Sequence, residues 1–145
     1  MTYLSDEDYD FIYSRVPRIC VDLLVTNSKG EVLLTQRTIE PYLNHWHLPG
    51  GRIKFKESIS DAVKRIAKAE IGVELDNIGT VAGTCEFPDE IQKEQERHSI
   101  SIVHKIMLPD GVPLSAQDKY KWVLKIPEPT IPPQKQFLIT QKIIH

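Results

Sequence analysis

The stretch GGRIKFKESISDAVKRIAKAEIGV, residues 50–73, holds the side chains best placed for chemistry. At about 100° per residue, a helix starting near Ser58 gathers Ile59, Ala62, Val63, Ile66, Ala67 and Ala69 into one apolar stripe, with Glu70 in its middle. A carboxylate on a buried face is unfavourable unless something compensates it. In the last helical turn the helix dipole adds to the penalty. A basic partner or a metal cation offsets both. Upstream, Gly50 and Gly51 let the backbone turn sharply and face a ligand. Arg52 follows at once, Arg65 borders the stripe, and Arg37 ends a β-rich run. Guanidinium forks match phosphate oxygens. Magnesium takes only one or two carboxylates, with water and phosphate completing its shell. Three arginines, one isolated carboxylate and a glycine turn therefore describe a site for a magnesium-bound diphosphate. The same residues also fit a loosely packed helix in which Glu70 reaches solvent, Arg65 or Arg52.

Positioning that constellation takes the rest of the chain. Ser5 caps a helix over residues 6–15, with Tyr9, Ile12 and Tyr13 on one side. RICVDLLVTN and EVLLTQR flank the turn NSKG, so residues 18–37 read as a hairpin. HWHLPGGRI is short and extended. Ser58 with Asp61 resembles a capping box, and Gly72 suits the helix C-terminus. NIGTVAGTCEF, SISIVHKIML and YKWVLKI read as further strands. PDEIQKEQER reads as a charged, solvated loop, and LPDGVPLSAQDK as a second loop. After the proline-rich IPEPTIPP, QKQFLITQKII reads as a closing helix. This pattern belongs to the α/β class, with a mixed sheet packed between helices.

Composition narrows the partners. The 145 residues suit one domain, 1–145, with 41% hydrophobic and 26% charged residues. A net charge of −2 argues against nucleic-acid binding driven by bulk charge. Cys20 and Cys85 read as small core residues of a reducing compartment. No run approaches the ~18 apolar residues of a membrane span. The start, MTYLSDEDYDF, lacks the basic and apolar regions of a signal peptide. The expected address is the cytoplasm, without a membrane partner.

Gly51, Glu57, Arg65, Glu70 and Gly72, with the aliphatic Val73, resemble a Nudix box whose spacing is matched throughout residues 51–73. Ile66 and Ala69 stand where most members carry glutamates, which reduces the usual metal cluster to Glu70. In this the chain is similar to the GDP-mannose mannosyl hydrolases. The likeness extends to YLSDEDYDFI, to Asp22 in VDLLV, to NSKGEVLLTQRT and to WHLPGGRI, covering residues 3–75. The resemblance implies an α/β/α sandwich, Mg2+ or Mn2+ as cofactor, a homodimer, and a nucleotide-sugar substrate attacked by water at the sugar's anomeric carbon. It also implies that Glu70 and the Gly50 carbonyl ligate the metal, while Arg37 and Arg52 hold the diphosphate. Arg65 would orient the metal shell or the phosphates, and Asp22 would contact the sugar or organise the site. Asp8 and Tyr9 match positions near the nucleotide across a dimer interface. Read without the resemblance, Arg65 pairs with Glu57 as a bridge, Asp22 satisfies a loop and Tyr9 is core.

The same branch carries a Gln-His pair ahead of its last tryptophan, the Gln for metal and the His as general base. Counting back from Trp122, those positions are Ala116 and Gln117. Neither is a base near neutral pH. A slip of one residue puts Gln117 on the metal and Asp118 at the base position. Phe87 and the neighbourhood of Ser101 replace the branch's other His and Tyr, and His45, His47, His98 and His104 are the imidazoles left as substitutes. Three functions follow: a nucleotide-sugar hydrolase cleaving a C–O bond, a Nudix diphosphatase cleaving a P–O bond of a nucleoside diphosphate derivative, and a nucleotide-sugar binding module with little turnover.

Overall fold

The computed structural model describes residues 3–145. Ser5 caps helix α1, Asp6–Tyr13, by accepting a hydrogen bond from the Asp8 amide. Strand β1, Arg18–Thr26, runs through the middle of the molecule. One of its edges pairs in parallel with β6, Gln95–Met107, in the register Arg18↔Ser99 to Thr26↔Met107. Its other edge is shared: β2, Val32–Gln36, meets it at Thr26, and β4, Gly50–Arg52, runs antiparallel to Cys20–Asp22. Strand β3, Trp46–His47, and β7, Tyr120–Val123, extend the sheet from β2, and β5, Thr80–Gln92, closes it beyond β6. The result is a mixed, curled sheet with helices on it.

Alternation decides what lies on each face. Val21, Leu23 and Val25 point towards helix α2, Ile59–Ile71, and pack with its Ala62, Val63, Ile66 and Ala67. Leu24 and Val103 face the other way, into a second cluster with Phe137 and Leu138 of helix α3, Pro132–Thr140. Ser58 caps α2 through the Asp61 amide. Gly72 ends it in the left-handed conformation, φ 69°, which favours glycine.

Three expectations need correction. PDEIQKEQER is no loop: strands β5 and β6 continue through it as a hairpin whose pairing resumes at Glu90↔Arg97. Glu90 and Arg97 are paired and turned inward, which a count of charges does not reveal, while Asp89, Lys93, Glu94 and Glu96 are exposed. The apolar stripe of α2 is narrower than its spacing suggests: Ile59 and Ala69 are exposed, and the buried face runs through Ala62, Val63, Ile66, Ala67 and Ile71. Glu70 is accordingly half-buried at the edge of that face and is not enclosed by it. The closing helix starts two residues early, at Pro132, since proline lacks a donor and fits the first turn of a helix.

Candidate active site

The face of β1 that carries Leu24 becomes polar towards its start. Arg18, Cys20 and Asp22 project from it, and β6 sets Ser99 and Ser101 beside Arg18 and Cys20. Together with β4 and the start of α3 they line a cleft of about 200 Å³. The floor of the cleft is thus the polar continuation of the α3-side core. A sequence signal for it exists in the period-2 spacing of Arg18, Cys20 and Asp22, and again of Arg97, Ser99 and Ser101.

Asp22 is buried there and accepts a hydrogen bond from Gln134 Nε2 at 3.0 Å. The other end of that amide, Gln134 Oε1, accepts from the Leu48 amide at 2.8 Å. Gln134 therefore fixes Asp22 relative to the segment entering the glycine turn; the sequence places it at the start of the closing helix but carries no signal that it reaches Asp22. Burial pushes the Asp22 carboxyl up to about 6, although Gln134 and Ser101 pull it down. Gly50 lies opposite Asp22 across the strand pair. A Cβ there would stand 2.3 Å from Asp22 Oδ1 and 2.8 Å from the Val21 carbonyl. We expect Gly50→Ala to destabilise the protein by roughly 1–3 kcal/mol, as overpacking does, measured by denaturant unfolding.

The arginines divide into two groups. Arg37 lines the cleft, donating from Nε to the Pro41 carbonyl. Burial lowers its pKa, against the field of Glu90 and Asp118. Arg52 also lines the cleft, with its guanidinium 5.7 Å from the Tyr9 ring and 5.5 Å from the Tyr13 ring. Arg65 is engaged elsewhere. Its Nε and Nη2 hold Glu57 at 2.7 and 2.9 Å, and Nη2 also donates to the Arg52 carbonyl at 2.8 Å. In this geometry Arg65 is the bridge to Glu57 and a brace for the loop carrying Arg52; it is not among the residues lining the cleft. Arg65 holds the Glu57 carboxyl below the usual carboxylate range.

Glu70 forms no ion pair with Arg65 or Arg52 among the described residues. Burial pushes its pKa up, Asp118 pushes it further, and Arg37 opposes both. Glu70, Asp118 and Arg37 thus share one field. Asp118 accepts from Thr38 Oγ1 at 3.3 Å. Gln117 is exposed, Ala116 is half-buried, and Asp8 is exposed with only its amide engaged, by Ser5. Tyr9 lines the cleft and accepts from Arg18 Nη1 at 2.8 Å. Among the described residues no three His, Cys, Asp or Glu side chains converge as a metal cage. One half-buried carboxylate without an ion pair, beside a backbone turn, still suits magnesium, which takes most of its ligands from water and phosphate.

Of the histidines among the described residues, His47 is the one that lines the cleft. It stands beside Thr35 Oγ1 at 3.1 Å, but burial and Arg37 lower its pKa to about 4. His104 is on the opposite face of β6, near the Ile78 carbonyl. Cys20 lines the cleft with its thiol pushed up to about 11, chiefly by burial. Since the thiolate is the nucleophile, we expect Cys20 to resist iodoacetamide at pH 8 in the native protein and to react on unfolding, as mass spectrometry would show.

The profile of the NUDIX domain matches residues 16–124. The chain belongs to the NUDIX family. A NUDIX relative in fold, the MutT protein of Methanosarcina mazei Go1, superposes with a TM-score of 0.72 at 28% identity, covering 88% of this chain and 95% of that one. The low-salt glycan biosynthesis protein Agl8 of Haloferax volcanii is 32% identical over 112 residues, 75% of this chain and 70% of its own length. The ADP-ribose pyrophosphatase of Methanocaldococcus jannaschii is 30% identical over 87 residues, covering 60% of this chain and 48% of that protein. In NUDIX terms, α2 with the turn at Gly50 and Gly51 is the segment bearing the family's motif.

Proposed function

We propose that the protein is a magnesium-dependent hydrolase of a nucleotide-sugar diphosphate of the GDP-mannose kind, cleaving the C–O bond at the sugar's anomeric carbon. Membership of the NUDIX family carries the coarser statement, a hydrolase of nucleoside diphosphate derivatives. The observation supporting the finer one is the sequence of charge along the cleft. Arg37 and Arg52 line the cleft, Glu70 and Asp118 lie just outside its lining within the field of Arg37, and the floor is polar, with Arg18 balanced by Glu90. A diphosphate fits the arginines, and a hydroxylated group fits the floor.

Glu70 and the Gly50 carbonyl would hold the ion, which when bound supplies positive charge to the diphosphate oxygens. Manganese fits the same donors. Gln117, exposed on the segment ahead of β7, would add its side-chain carbonyl as a further oxygen ligand. Arg37 and Arg52 stabilise the charge that grows on the departing diphosphate. The water oxygen bonds to the anomeric carbon, the bond from that carbon to the bridging oxygen breaks, and its electron pair leaves with the diphosphate. The water's proton passes to Asp118, which stands in the field of Glu70 and Arg37. Ile66 and Ala69 in place of carboxylates favour this over attack at phosphorus, which draws on a larger metal cluster.

Hydrolysis of GDP-mannose in 18O-water tests the proposal. Attack at carbon yields GDP and labelled mannose. Attack at phosphorus yields GMP and mannose phosphate with the label on phosphate, and would replace our reading with that of a diphosphatase. Binding without turnover at any pH would make the protein a binding module.

A further inference from the structure

The hairpin that replaced the expected charged loop brings a second group of residues into the cleft. Arg18, buried at the start of β1, donates from Nε to Ser99 Oγ at 3.0 Å and from Nη1 to Tyr9 Oη at 2.8 Å. Nη1 also reaches Gln92 Oε1 at 3.4 Å, and Nη2 reaches Glu90 Oε1 at 2.9 Å. All five residues line the cleft. A guanidinium only donates. Each partner therefore spends an acceptor on Arg18 and keeps its other capacity: Ser99 and Tyr9 a hydroxyl proton, Gln92 its amide protons, Glu90 its Oε2.

This end wall thus presents three donors and one charged acceptor, already oriented. Arg18 and Glu90 cancel in charge, and their side chains are 10% and 11% exposed. Burial disfavours the Arg18 charge, but Tyr9 and Glu90 outweigh it and keep the group cationic. A phosphate has no proton to give Glu90 and would be repelled by it. A pair of neighbouring hydroxyls both donates and accepts, and a carboxylate is the usual acceptor for sugar hydroxyls in nucleotide sites. The wall adjoins the arginines assigned to the diphosphate: the Tyr9 ring is 5.7 Å from the Arg52 guanidinium and Glu90 lies in the field of Arg37, so it meets hydroxyls on a group next to the diphosphate.

We propose that Glu90, Gln92, Ser99 and Tyr9, oriented by Arg18, form a recognition subsite for vicinal hydroxyls of the substrate's glycosyl or ribosyl group. The subsite rests on the reading that the cleft takes a nucleoside diphosphate derivative. Arg18 acts as a positioning residue, and Glu90 makes the selective contact.

Binding of GDP-mannose, GDP and 2′-deoxy-GDP to the full chain, with Ca2+ replacing Mg2+, tests this by calorimetry. If the wall holds the glycosyl group, Glu90→Gln weakens GDP-mannose roughly tenfold, the worth of one charged hydrogen bond, and removes its advantage over GDP. If it holds the ribosyl group, Glu90→Gln weakens GDP and GDP-mannose alike, and 2′-deoxy-GDP binds weakly to wild type and variant equally. Affinities of Glu90→Gln within about twofold of wild type for all three, less than a single neutral hydrogen bond is worth, overturn the subsite and leave the proposed function standing. Wild-type protein that binds none of the three overturns that function and the subsite with it. Gln92→Ala, which leaves the Arg18–Glu90 pair intact, repeats the test should Glu90→Gln not fold. It should lower the same affinities roughly threefold, and no change in them counts against the subsite.

Discussion

Glu70→Gln is expected to remove metal-dependent turnover without weakening the fold. The loss should be on the order of 10²–10³, the range seen when one electrostatic contributor to a transition state is removed. The two readouts move in opposite directions for a physical reason. Burial and Asp118 raise the Glu70 pKa, so its charge is disfavoured in the folded protein. A carboxyl with a raised folded pKa weakens the fold as pH climbs through that value. The neutral amide escapes this, and the variant should unfold at the same temperature as wild type or higher at pH 7. Mg2+ with nucleotide should raise the melting temperature of wild type and leave that of the variant unchanged. A variant that keeps its turnover, or that melts early and loses turnover only for that reason, would remove Glu70 from the metal site. The first outcome contradicts ligation directly, and the second makes Glu70 a structural residue.

The second large effect concerns Asp22→Asn. Asp22 titrates at about 6 in the folded protein, against an ordinary value of 3.8. Burial is the main cause; Gln134, Ser101 and Arg37 pull the value down, and Glu90 pushes it up. Between these two pH values the folded protein binds a proton that the unfolded chain has released, so stability falls as pH rises through the window. Above it the full penalty applies, roughly 3 kcal/mol for a shift of this size. Asn carries no such penalty, and its carbonyl still accepts from Gln134. The variant should therefore be more stable than wild type by up to roughly 3 kcal/mol at pH 7.5, with the difference vanishing near pH 3.5. Urea unfolding across that range measures it. Turnover should fall at least tenfold or so, the common exchange of stability for function at a site. Equal stabilities at pH 7.5 would mean that Asp22 is not held as an ionised group in the cleft.

Much of the scaffold is legible in local chemistry. Ser58, Asp61 and Gly72 bound α2 because capping and left-handed backbone are local properties, decided within a turn of chain. Ser5 bounds α1 in the same way, although the helix stops at Tyr13 and does not reach residue 15. The cleft was less legible. Glu90 and Arg97 read as solvated charges, yet Arg18 and Asp10 pair with them across long separations in sequence. No local rule anticipates such pairing, because it takes the alignment of β1 with β6, the β5–β6 hairpin and the docking of α1 to bring these residues together. Arg65 shows the converse. Its spacing to Glu57 belongs to the family motif, and spacing alone does not distinguish a brace from a ligand-binding group. The sequence places Gln134 on the closing helix, but its bond to Asp22 spans 112 residues and has no local signature.

The hairpin of β5 and β6 has one more implication. Its tip carries Glu90 and Gln92, whereas the residues placed around the reacting bond belong to α2, to the turn before it and to the segment ahead of β7. Helix α2 packs on β1 and β4, away from that tip. On the proposed reading, the hydroxyl-selective contacts of Glu90 and Gln92 sit on a different piece of chain from Glu70 and the glycine turn. If Glu90 and Gln92 select the substrate as proposed, mutations at the hairpin tip would retune what the protein accepts without touching α2 or the glycine turn, a division of labour that lets one scaffold diversify its substrates in evolution.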